Sequence, residues 1–187
     1  MTQTWKLDTS HTDVTFAAKH MMVTTVRGKF AEVAGEITAD PADPTSARGE
    51  IEIGLASLNT GSEMRDNHLR SADFFDVANH PTATFRIREL VARGGRGDEY
   101  DIVGDLTIRG TTRPLTLKAE LLGFYKSMEG ASRAGFSAEA RLNRKEWGLN
   151  WNMALESGGW LVSDDIKLTI DAAFEEVRDA RELAAAA

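Results

Sequence analysis

Histidines are the side chains of this sequence best suited to chemistry near neutral pH, because imidazole can act as a general base or a metal ligand. The chain has four of them, His11, His20, His68 and His80, and no cysteine. No two histidines have the spacing of paired ligands, so tertiary folding alone would have to assemble a shared site. We therefore predict structural hydrogen bonding for these histidines, with no metal site and no cofactor.

The stretch containing Asp66, His68 and Ser71 holds the residue types of a hydrolase. On a helix, however, Asp66 would lie about 160° round from His68 and could not orient its imidazole. Asp66 and Arg70 instead have the spacing of an exposed ion pair. We predict no catalytic residue. An enzyme acting on a small apolar substrate, with His68 or a carboxylate as general base, remains the alternative.

Large aromatic side chains are concentrated where a small domain would not normally expose them. One group, in a connection that also contains Gly, Asn and Ser, consists of Trp147, Trp151 and Trp160. A second group, Phe74 and Phe75, lies near the end of the helical segment described below. Such residues could close one end of a core or line the entrance to a ligand site, and the pattern is compatible with both.

One segment, roughly 60–76, has helical periodicity. At 100° per residue, Met64, His68 and Phe75 group on one side, whereas Glu63 and Asp66 group on the other. A single amphipathic helix among strands has little local material to pack on. We therefore predict that its apolar face closes over a sheet as a lid.

The rest of the chain alternates apolar and polar residues with the period of a strand. Short turns between the segments favour an antiparallel meander, and about eight long strands would close into a barrel with a narrow cavity. The predicted fold class is therefore all-β. The predicted strands are residues 13–20, 28–39, 48–58, 82–91, 99–109, 115–124, 134–142 and 165–174.

Composition narrows the possible partners. The 187 residues are 42% hydrophobic, which suits one domain, and the net charge of −7 opposes binding to nucleic acid. No apolar run is long enough to predict an integral membrane segment. The N-terminus shows no apolar secretion segment, so we expect a cytoplasmic protein. An exposed strand edge or aromatic rim would allow a homodimer.

Several motifs, in order, are similar to those of the YceI-like family of lipocalin-like proteins that bind polyisoprenoids or other lipids. They include Trp5-x-Leu7-Asp8-x-x-His11, His68-Leu69-Arg70-Ser71-x-Asp73-Phe74-Phe75-Asp76, and Asn143-Arg144-Lys145-Glu146-Trp147-Gly148-Leu149. The resemblance implies one domain over residues 1–177. Residues 175–187 are rich in Ala, Glu and Arg and offer little apolar surface, and this composition predicts a flexible tail at 178–187. The resemblance also implies an extended eight-stranded antiparallel barrel, capped near one end by the inserted helix.

The resemblance further implies a barrel that binds, carries or stores a long-chain lipid, such as an isoprenoid or a fatty-acid derivative, without catalysis. Each methylene removed from water contributes about 0.8 kcal/mol, so a dry tunnel needs few polar contacts. A third functional hypothesis is a stress-related structural or interaction barrel whose interior is filled by its own side chains. The predicted ligand-binding residues, with His68 as a polar handle, are Phe16, Phe30, Met64, His68, Leu69, Phe74, Phe75, Phe85, Phe136, Trp147 and Trp151.

Overall fold

A computed structural model describes residues 1–95, 97–126, 130–156 and 158–178. The predicted tail lies outside these residues except for Arg178. Within these residues, eleven strands and one α-helix, α1 (Glu63–Arg70), follow one another. The strands are β1 (Gln3–Leu7), β2 (Asp13–His20), β3 (Thr24–Phe30), β4 (Val33–Asp40), β5 (Asp43–Gly54), β6 (Leu58–Asn59), β7 (Thr82–Arg93), β8 (Glu99–Ile108), β9 (Thr111–Lys126), β10 (Ser132–Asn143) and β11 (Val162–Glu176).

Eight of these strands form a closed ring in the order β1-β4-β5-β7-β8-β9-β10-β11. The ring closes where Trp5 on β1 faces Glu176 on β11, and every pairing in it is antiparallel. The prediction of an all-β, eight-stranded antiparallel barrel is therefore confirmed. Every second side chain along a strand points into the barrel. On β10, for example, Ala134, Ala138 and Ala140 are buried.

The long strand β11 pairs along one edge with β10 and along its other edge with two different strands. Its C-terminal end pairs with β1, while Ile166 to Asp171 pair with β2, which continues to β3 and the short β6. The predicted single strand at 28–39 is therefore wrong, because the chain leaves β2 after Phe30 and begins pairing with β5 at Val33. The junction is held by Gly54 N, which donates to Glu32 O over 2.8 Å.

Helix α1 is shorter than predicted, and two of its residues lie on the side opposite to the predicted one, although Glu63 is exposed as predicted. Met64 is 84% exposed, whereas Asp66 is buried. The reason is polar anchoring: the Asp66 carboxylate accepts hydrogen bonds from the backbone N–H (2.9 Å) and the hydroxyl of Thr60. Arg70 donates to the carbonyls of Ala56 and Leu58, so the predicted Asp66–Arg70 ion pair does not form. Among the described residues, no helix has the length and apolarity to cross a membrane.

The link between β1 and β2 is a 3₁₀ turn, Thr9–His11, capped by Asp8. The Asp8 carboxylate accepts from Ser10 Oγ at 2.6 Å and Ser10 N at 3.0 Å, and lies 2.9 Å from His11 Nδ1. Arg133 on β10 reaches the same carboxylate at 3.2 Å. The hydrogen bond from the Ser10 hydroxyl, followed by the hydrogen bond and charge of His11, lowers the pKa of Asp8 to about 2.

A pH-dependent contribution to stability follows from this lowered pKa. A carboxyl with a pKa of about 2 in the folded chain and 3.8 ordinarily stabilises the fold above pH 3.8, and loses that contribution as pH falls towards 2. We expect Asp8→Asn to lower the free energy of unfolding near neutral pH, with the deficit shrinking in this acid window. Urea unfolding of the unmodified protein and of Asp8→Asn, from neutral pH down to about pH 2, measures the difference in free energy of unfolding. A difference that does not change with pH would contradict the lowered pKa of Asp8.

Candidate functional site

The interior of the ring contains a cavity of about 260 Å³ that runs along the barrel. This volume lies just below the range of about 300–1,000 Å³ usual for small-molecule sites, so it suits a slender occupant. Its lining comes from nearly every strand of the barrel and is apolar except for Thr12, Asp40 and Arg144. A barrel filled by its own side chains would show no such space.

Three buried alanines, which we call the alanine belt, lie side by side in the β9–β10 pair, and one of them lines the cavity. Ala119 on β9 and Ala138 on β10 face each other in register, and Ala140 lies one inward position further along β10. All three are buried, and Ala138 lines the cavity between Phe136 and Leu142. Because a methyl group extends little from the strand, Ala138 leaves room in the cavity that any larger side chain would occupy.

One end of the cavity is closed by Trp147, Phe74 and Arg144, which are all buried and all line it. The Trp147 indole N–H donates to Leu106 O at 2.9 Å, which fixes the ring across the barrel. The Arg144 guanidinium lies 5.8 Å from the centre of the Phe74 ring, within the range of a cation–π contact.

Arg144 ties the irregular connection after β10 to the barrel end. It donates to the carbonyls of Leu149 (2.6 Å), Trp151 (2.8 Å) and Ser163 (3.0 Å). Asp164 lies 3.4 Å from its third nitrogen. Burial lowers the pKa of Arg144, and Asp164 opposes that shift. All three side-chain nitrogens are therefore used by the protein itself.

His68 and Asp73 form a pair at this closed end, with His68 Nε2 lying 2.9 Å from Asp73 Oδ2. The imidazole packs edge-on against Phe74 and Trp151, with ring centres 5.1 and 4.5 Å apart. The pair is partly exposed to solvent, and neither residue lines the cavity. His68 thus packs behind the aromatic side chains that close the cavity and does not line it, and its role as a polar handle for a ligand stays a prediction.

At the other end, the lining residues include Pro41 and Pro44, which flank the β4–β5 turn, and Phe124 on β9. Phe124 is 48% exposed although it lines the cavity, and its ring lies 6.2 Å from that of buried Trp5. The cavity therefore approaches the surface at this end, which we call the mouth.

Most of the predicted ligand-binding residues line the cavity; their role in binding remains a prediction. Those in the lining are Phe16, Phe30, Leu69, Phe74, Phe75, Phe85, Phe136 and Trp147. Met64, His68 and Trp151 do not line it, and Met64 points to solvent because Asp66 takes the buried side of α1. The sequence reading missed Trp5 and the alanine belt, although the alternation along β10 could have indicated the latter. Within the described residues, no group of three or more His, Asp or Glu side chains is placed to hold a metal ion.

A closed eight-stranded antiparallel barrel with an apolar, narrow cavity defines a lipocalin-like barrel protein. Residues 5–174 match the YceI-like domain, and the chain belongs to this family. The resemblance drawn from the motifs is thereby confirmed.

Relatives at about one-third identity cover most of the chain. It is 36% identical over 171 residues to the UPF0312 protein SERP2314 of Staphylococcus epidermidis, covering 91% of this chain and 96% of that protein. It is also 36% identical to the UPF0312 protein PA0423 of Pseudomonas aeruginosa, over 82% of this chain and 80% of that one.

Solved structures share the fold. The YceI protein of Campylobacter jejuni is similar at a TM-score of 0.74 and 29% identity, covering 86% of this chain and 90% of that one. Burkholderia cenocepacia BcnA gives a TM-score of 0.76 at 21% identity, covering 89% and 98%. A polyisoprenoid binding domain from Saccharophagus degradans gives 0.69 at 17% identity, covering 92% and 98%.

Proposed function

We propose that this protein binds one long-chain apolar lipid, an isoprenoid or a fatty-acid derivative, and carries or stores it without chemical change. The proposal rests mainly on the cavity, which is long, narrow and lined almost entirely by apolar side chains. Membership of the YceI-like family and the fold shared with a polyisoprenoid binding domain support an apolar lipid. At about 0.8 kcal/mol per buried methylene, ten methylenes supply about 8 kcal/mol before the costs of binding.

The proposed orientation places the hydrocarbon tail against Trp147 and the head group at the mouth. At the closed end, the nitrogens of Arg144 and the indole N–H of Trp147 already donate to protein oxygens. A polar head group there would lose water without gaining a donor, which is costly. At the mouth it would keep its hydration. His68, the base considered for an enzyme, lies outside the cavity lining, and this favours a carrier over a catalyst.

Native mass spectrometry of protein purified from its own host tests the proposal, together with extraction and identification of the bound lipid. We expect one lipid per chain and saturable uptake of a fluorescent long-chain probe that the extracted lipid displaces. A protein without bound lipid that also excludes such probes would overturn it. Turnover of a bound probe that is lost in His68→Ala would instead favour the enzyme.

A further inference from the structure

The β9–β10 hairpin extends beyond the strand beside it. β8 begins at Glu99, which lies opposite Glu120 on β9, and Leu121 N donates to Asp98 O over 2.7 Å. Beyond Leu121, the backbone of β9 pairs only with β10 among the described residues, ending with Lys126 opposite Ser132. We call residues 122–126 of β9 and 132–134 of β10 the mouth hairpin. Residues 127–129 lie outside the described part of the chain.

Both faces of the mouth hairpin carry large apolar side chains. Leu122 is 62% exposed and Tyr125 is 53% exposed, and neither lines the cavity. Phe124, between them, is half exposed and does line it. An exposed apolar surface is thus continuous with the apolar interior. Exposed apolar patches of about 300 Å² or more are often sites of interaction.

The composition of the mouth hairpin suits the surface of a lipid bilayer. Aromatic side chains such as Tyr and Phe favour the membrane interface, where one end of the side chain is apolar and the other is wet. Lys126 is exposed, forms no ion pair among the described residues, and can reach lipid phosphate while its stem stays in apolar surroundings.

A second copy of the chain is a poorer fit to the same surface. With about half of each side chain exposed, the three apolar residues present about 300 Å², against about 800 Å² per partner in a stable protein interface. A bilayer needs no matching area, because each inserted apolar group contributes independently.

We propose that the mouth hairpin docks on a lipid bilayer and presents the mouth of the cavity to it, so that a lipid passes without crossing water. This inference rests on the proposed function. It assigns the site of exchange to Leu122, Phe124 and Tyr125, with Lys126 against phosphate.

The opposite end of the barrel also exposes apolar side chains, among them Met22 (68%) and Trp160 (56%), and it therefore tests which end docks. Val23 after β2 and Met153 in the β10–β11 connection are also largely exposed. The backbone N–H of Leu161 donates to Met153 O, and the backbone N–H of Met21 donates to Leu161 O. Val23 and Met153 therefore lie at the same end of the barrel. This end is separated from the mouth by the full length of β11.

Co-sedimentation with phosphatidylcholine vesicles, with and without some phosphatidylglycerol, tests the docking. We expect Leu122→Ser/Tyr125→Ser to lower the vesicle partition coefficient about tenfold, and Val23→Ser/Met153→Ser to leave it unchanged. Equal binding by the unmodified protein and both variants, equal loss in both variants, or a loss only in Val23→Ser/Met153→Ser would overturn the proposal. So would a dimer, seen by analytical ultracentrifugation without vesicles, that Leu122→Ser/Tyr125→Ser abolishes.

Because the chain has no cysteine, a single fluorophore can report the orientation. An environment-sensitive label on Leu122→Cys should shift to the blue on vesicles, and the same label on Val23→Cys should not. A shift at position 23 alone, or at neither position, would overturn docking through the mouth.

Uptake of a water-soluble fluorescent fatty-acid analogue separates this proposal from the carrier function. Normal uptake without vesicle binding would overturn docking and leave the carrier standing. Vesicle binding through position 122 without uptake would overturn the carrier and leave docking standing.

Discussion

An Arg144→Met protein should lose about 3 kcal/mol of unfolding free energy, because three carbonyl oxygens lose their donor while the apolar stem is kept. Those carbonyls belong to Leu149, Trp151 and Ser163, and they connect the segment after β10 to the barrel end. Phe74 also loses the cation beside its ring. We expect the closed end of the cavity to loosen before the rest of the barrel unfolds.

Urea unfolding measures the loss, and near-ultraviolet circular dichroism reports the packing of the tryptophans at this end. Arg141→Met, at an exposed position near the end of β10 and three residues before Arg144, is the matched control and should change stability by no more than about 0.5 kcal/mol. Arg144→Lys should recover only part of the loss, since an ammonium cannot span three carbonyls as a guanidinium does. Equal stability of the Met variants at 141 and 144 would refute the role given to Arg144.

Ala138→Phe should block the cavity at the alanine belt and abolish tight binding of a long-chain probe. Ala138 faces Ala119 across the β9–β10 pair and lies opposite Ile170 on β11, so a phenyl ring there would occupy the narrow interior. If the ring denies the ligand about five methylenes, binding loses about 4 kcal/mol, or about a thousandfold in Kd.

Ser137→Phe places the same side chain one residue earlier, on the outer face of β10, and is the matched control. Fluorescence titration with a long-chain probe compares the two variants, and circular dichroism verifies that both are folded. A shorter probe that ends before Ala138 should bind both proteins similarly. Unchanged affinity of Ala138→Phe for the long probe would show that the ligand does not occupy this part of the cavity.

Much of the barrel could be predicted because alternation along a strand reports which side chains face inward. The strands at 13–20, 82–91 and 134–142 follow from this pattern, and the structure contains each of them. The break between β3 and β4 could not be predicted in this way. Both strands are apolar on one face, and the change of partner at Ala31 and Glu32 depends on β5 and on the segment around Ser57.

Helix α1 shows why a hydrophobic periodicity can mislead. The periodicity places Met64 inside and Asp66 outside, yet Thr60 supplies two hydrogen-bond donors that make burial of Asp66 favourable. Arg144 was recognised only within a motif, because its acceptors are backbone carbonyls that no side-chain pattern records. The alanine belt was missed because alanine is a weak signal in any periodicity, although its small volume is what leaves the cavity open.

The pairing of β1 with β11 gives the barrel a particular order of assembly. Trp5 meets Glu176, so the last contact of the ring joins the two ends of the domain in sequence. Contacts of such high sequence separation form slowly because a long loop must close before they contribute. During synthesis, the edge of β1 that faces β11 stays unpaired until almost the whole domain has left the ribosome. Strand β1 is thus synthesised before the other strands of the ring, but its second edge is paired last. A chaperone could bind that unpaired edge for longer than any other edge in the ring.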